Sequence, residues 1–81
     1  MEQKVKILKK LLHSELFLNK FPLIRFVHVN QYGEKNIDVV FSFTDGFVYK
    51  DYEDFREEAR SLVYGLAKYA GISSRLITIY P

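Results

Sequence analysis

Residues 37–44 alternate without interruption. Ile37, Val39, Phe41 and Phe43 fall on one side of an extended chain, and Asp38, Val40, Ser42 and Thr44 on the other. Successive side chains of a strand point to opposite faces, so this period of two demands a sheet with one face against a core and one turned away from it. Any fold open to the chain must cover the first face and account for the second.

Two amphipathic stretches can supply the cover. Val5, Leu8, Leu12 and Leu16, widened by Ile7, Leu11 and Leu18, recur at i, i+3, i+4 and predict a helix over 3–19. Pro22 ends it, because the residue before a proline avoids the α region. Tyr52, Phe55, Ala59, Leu62, Val63, Leu66 and Ala70 predict a second helix over 52–70. Asp51 is its expected N-cap, with Glu53 and Asp54 in the positive first turn. Gly71 suits the left-handed position after the last turn, with Ile72 placed for the accompanying apolar contact. Gly65 costs a helix interior up to about 1 kcal/mol, so it is expected to mark a close helix approach.

The remaining segments read as strands. Residues 23–31 are rich in β-branched and aromatic types, and 32–36 form a polar turn with Gly33. Asp45-Gly46 predicts a type I′ hairpin that returns Phe47–Lys50 as a third strand. Arg75–Tyr80 forms the last. The order α-β-β-β-α-β predicts an α+β domain: a two-layer α/β sandwich with a mainly antiparallel four-stranded sheet of order 4-1-2-3 and both helices on one face. The 81 residues allow a single domain, 1–81.

Composition narrows the setting. The chain has no cysteine, which excludes disulfides and thiolate metal sites, and small secreted domains usually need such staples. No apolar run approaches the roughly 20 residues needed to span a bilayer, and no leader sequence is evident. The expected setting is soluble and cytoplasmic, away from membranes. An apolar fraction of 48% with 16% aromatic residues suffices for a real core, alone or shared with a second copy.

Function is expected to lie on the uncovered sheet face. The first and last strands are apolar on both sides, so large side chains are left exposed whichever way they turn, and monomers rarely expose such patches without a reason. If Phe26 faces the helices, Val27, Val29, Val40, Ile77 and Ile79 are the candidate interface, and the preferred reading is a non-enzymatic protein-interaction module, a homodimer or a binder of a protein partner. The same face could instead stack bases on Phe26 with Tyr32 or Tyr80. An alternative is nucleic-acid binding through Lys6, Lys9, Lys10, His13 and Lys20, which share one side of a continuous first helix with Phe17 among them. A third reading is a small accessory or inhibitor protein of a larger partner.

Nothing points to catalysis or to a cofactor. His13 and His28 are the only histidines and form no metal-binding pair, and the serines lack a nucleophile-elbow context. The acidic group Asp51, Glu53, Asp54, Glu57 and Glu58 lacks the spacing of a calcium loop. Two local likenesses remain. Residues 66–75, with Leu66, Gly71, Ile72 and Arg75, resemble the helix-to-strand segment of transglutaminase-like domains; that family's nucleophilic cysteine is absent here, and Ser73 stands at its proline. The element order resembles that of double-stranded-RNA-binding domains, whose lysine-rich motif falls on Asp51, Glu53 and Asp54. Neither implies membership of the family.

Overall fold

The structure is a computed structural model that describes residues 1–44 and 49–80, and the side chains of 1–44 and 53–80. It is an α+β arrangement of three helices and a three-stranded mixed sheet: α1 (Glu2–Leu12), α2 (Glu15–Lys20), β1 (Ile24–Tyr32), β2 (Asn36–Phe43), α3 (Tyr49–Tyr69) and β3 (Ile77–Tyr80), with a short 3₁₀ turn at Ser74–Leu76. β1 and β2 form an antiparallel hairpin, and β3 lies parallel to β2 on its other side.

The expected four-stranded sheet of order 4-1-2-3 is therefore corrected to three strands in the order β1-β2-β3. Tyr49 and Lys50, expected to end a third strand, open α3 instead; Phe47, Val48 and the Asp45-Gly46 turn lie outside the described residues. The vacant edge of β2 is taken by β3. A helix between two strands is the natural connection for a parallel neighbour, and α3 provides it. Asp51 lies inside α3 rather than capping it.

The single helix expected over 3–19 is broken at His13 and Ser14. Ser14 takes an extended conformation, and its hydroxyl accepts from the backbone N–H of Phe17, capping α2. The break resets the helical phase. Leu16, expected in the core, is 86% exposed, while Phe17, expected among surface lysines, is 5% exposed. Phe17 stacks on Phe41 at a centroid distance of 6.2 Å and meets Phe21 at 5.1 Å. Phe55 of α3 stands edge-on to Phe21, Phe41 and Phe43 at 4.9–5.1 Å.

Around these rings the core joins Val5, Leu8 and Leu12 of α1, Ala59, Val63 and Ala67 of α3, and Val27, Ile37, Val39, Phe41 and Ile77 of the sheet. The alternation in β2 holds as expected, with Ile37, Val39 and Phe41 buried. Two glycines work as anticipated. Gly33 opens the hairpin turn at φ +61°, and Gly71 closes α3 at φ +82°. At the second, Ile72 N–H reaches Ala67 O at 2.8 Å and Gly71 N–H reaches Lys68 O at 3.0 Å, and Ile72 is buried.

Gly65 does not mark a close approach: a Cβ added there meets nothing within 4 Å, and the residue is exposed. Gly65→Ala is expected to stabilise the protein by about 0.5–1 kcal/mol in urea unfolding, since only backbone entropy changes. Phe41→Ala is expected to cost about 3–5 kcal/mol in the same assay, because its ring is fully buried between Phe17 and Phe55 and so large a void cannot collapse.

Candidate functional site

The register decides which side chains share the open face. Val27 pairs with Phe41, Val29 with Val39, and Val39 in turn with Ile79, so these residues and Ile77 belong to the helix-covered side. The opposite face carries Phe26, His28, Asn30 and Tyr32 from β1. From β2 it carries Asn36, Asp38, Val40 and Ser42, and from β3 Thr78 and Tyr80. Of the five candidate interface residues, Val40 alone lies on this face. Val27 and Ile77 are buried, and Val29 and Ile79 are half-buried against the core.

β1 opens on a β-bulge. Ile24 pairs with Phe43 and Phe26 with Ser42, leaving Arg25 as an extra residue in β1. The extra residue lets Ile24 and Val27 both turn toward the core, which a regular strand would forbid, and it turns Phe26 outward. Ile24 packs against the core while Phe26 is 56% exposed. The condition that Phe26 faces the helices is thus not met.

Three rings stand out on the open face: Phe26, Tyr32 at 58% exposure and Tyr80 at 44%. The Arg25 guanidinium sits 5.9 Å from the Phe26 centroid, and the His28 ring lies 6.0 Å from the same ring. Between the aromatic residues runs a polar chain across two strands. The Asn36 amide donates to Asp38 Oδ1 at 2.6 Å, and the Thr78 hydroxyl donates to Asn36 Oδ1 at 3.1 Å. Among the residues paired on this face Asp38 is the one formal charge, and the Arg25 guanidinium reaches the face from the bulge through its contact with Phe26. The face is therefore aromatic and polar rather than uniformly apolar, with one acidic and one basic group among the described residues.

The basic residues expected along one continuous helix are divided between α1, its C-cap and α2. Lys6, Lys9 and Lys10 are exposed on α1. His13 lies past its end and is engaged by the fold: Nδ1 is 2.6 Å from Lys9 O and Nε2 is 2.9 Å from Val27 O. Lys20 belongs to α2 and pairs with Glu58 at 3.3 Å. Among the described residues no group of three or more acidic or histidine side chains gathers as metal ligands would, and no helix is long and apolar enough to cross a membrane. Set against protein-family models, curated proteins and solved structures, the chain matches none of them.

Of these residues, Phe26, Tyr32 and Tyr80 were visible in the sequence as exposed-ring candidates. The bulge that separates Ile24 from Phe26 has no sequence signal, and neither does the Asn36–Asp38–Thr78 link, which needs the β2–β3 register. His13→Ala is expected to destabilise the protein by about 1 kcal/mol in urea unfolding, the cost of the Nε2–Val27 O contact that joins the end of α1 to β1. Lys6→Ala and Lys9→Ala are each expected to stay within about 0.5 kcal/mol of the parent.

Proposed function

We propose that the chain is a small, non-enzymatic protein-interaction module that binds through the open face of its sheet, with a second copy of the chain as the simplest occupant. The supporting observation is the face's composition. It is exposed, yet it carries Phe26, Tyr32 and Tyr80 with few formal charges, Asp38 and the Arg25 guanidinium on Phe26. Protein interfaces are enriched in aromatic residues and depleted of lysine and glutamate, whereas a merely solvated face collects charge. Three of its polar groups, Asn36, Asp38 and Thr78, already hydrogen-bond one another and so carry a smaller desolvation cost on docking.

A two-fold axis crossing the strands near Val40 would set this face against its own copy while moving the two Asp38 carboxylates apart. At ordinary strand spacing and rise the face covers about 15 by 25 Å. That area is small, so the contact expected from it is weak and transient rather than obligate. The same rings could stack bases. The face's formal charges, Asp38 and Arg25, cancel and offer no net attraction to a polyanion, however, and this favours a protein occupant.

Sedimentation velocity from about 10 µM to 1 mM tests the reading. The parent chain is expected to shift from monomer toward dimer across that range, and Phe26→Asp and Tyr80→Asp to remain monomeric with unchanged circular dichroism. A parent that stays monomeric throughout removes the second copy as occupant. Binding of single-stranded RNA or DNA at low salt that disappears in a Lys6→Glu/Lys9→Glu/Lys10→Glu variant would replace this reading with the nucleic-acid one. Co-purification of one stoichiometric host protein would replace it with an accessory role.

A further inference from the structure

β3 is an edge strand: it pairs with β2 on one side, and among the described residues with nothing on the other. Beside that free edge, α3 presents Arg56, Arg60 and Tyr64 at successive turns. Together with Ile77, Thr78 and Ile79 they line a shallow cavity of about 200 Å³. Both arginines are exposed, and neither forms an ion pair with a described residue; the pair that does form is Lys20 with Glu58. Glu53 and Glu57 stand three residues ahead of them along α3 and still do not engage them. The Arg60 guanidinium carbon lies 5.6 Å from the Tyr64 ring centroid, a contact that holds the side chain beside the edge without using its hydrogen-bond donors.

We propose that this edge is a docking strip for an extended acidic segment of a partner protein. The segment adds as a fourth strand alongside β3 and places a carboxylate between Arg56 and Arg60. The backbone of β3 supplies main-chain hydrogen bonds, and the two guanidiniums supply the anchor. The anchor is needed because β3 has four residues, too few to hold an added strand by backbone pairing alone. Charge also selects the occupant. If β3 paired with β3 of a second copy, the two α3 helices would meet along this flank and bring Arg60 toward its own duplicate, which like-charge repulsion opposes. The strip meets the open face at Thr78 and does not depend on self-association there.

The test titrates two capped heptapeptides into isotope-labelled protein: one alternating glutamate with threonine or valine, the other with lysine in place of glutamate. The acidic peptide is expected to shift the backbone amides of 77–80 by about 1 mM, and the lysine peptide to leave them unmoved. Arg56→Gln/Arg60→Gln is expected to weaken the acidic peptide roughly tenfold or more, with Arg56→Lys/Arg60→Lys intermediate. Both pairs are exposed, so the fold should survive, as circular dichroism would verify. Unmoved 77–80 amides, equal binding of the lysine peptide, or unchanged affinity in the Gln variant would each overturn the proposal. Shifts confined to Phe26 and Tyr32 would also overturn it, and would assign the peptide to the open face instead.

Discussion

Five phenylalanine rings hold three elements together. Phe17 and Phe21 come from α2 and the residue after it, Phe41 and Phe43 from β2, and Phe55 from α3. Each ring removes about 150–250 Å² from water, and edge-on pairs add about 0.5–1.5 kcal/mol beyond that area. In a chain of 81 residues, with thin margins of stability, no other group of contacts has comparable weight. Phe55 touches three of the other rings, so it fixes how α3 lies across β2. That placement in turn delivers β3 to the edge of β2.

The aromatic cluster also explains why the first helix breaks. A continuous helix over 3–19 would bury Leu16 and leave Phe17 outside. The chain instead spends one turn on the His13–Ser14 junction, where the Ser14 hydroxyl and both nitrogens of the His13 ring meet backbone groups. The exchange puts a larger apolar side chain into the core and exposes a smaller one, a net gain in buried apolar area. His13, with the look of a surface residue in sequence, is thereby a strut between α1 and β1.

Much of the fold was legible in the sequence, and what was not has physical causes. The strict alternation of residues 37–44 identified the buried face of β2, because period two is a one-dimensional property. The 3.6-residue period located most of α3, and Gly71 marked its end because only a left-handed residue fits there. The helix break, the bulge at Arg25 and the partner of β3 were not legible, since each is decided by contacts between distant segments. A single extra residue in β1 changes the face of every side chain before it. It places Ile24 on the core side, whereas pairing with β2 puts Val27, Val29, Ile77 and Ile79 on the core side and Phe26, Tyr32 and Tyr80 on the surface. Asp45-Gly46 reads as a hairpin and lies outside the described residues, while Tyr49 and Lys50, expected to end the returning strand, belong to α3.

The route by which the sheet is assembled sets an order of events. β1 and β2 are joined by a three-residue turn, so their ladder can zip as a local unit. β3 reaches β2 only after the whole of α3 has been traversed, and its four residue pairs must repay the closure of that long loop. The strand thus docks late and is held lightly. Amide exchange in native conditions would find it opening ahead of the hairpin, so that the parallel edge breathes while the antiparallel pair stays closed.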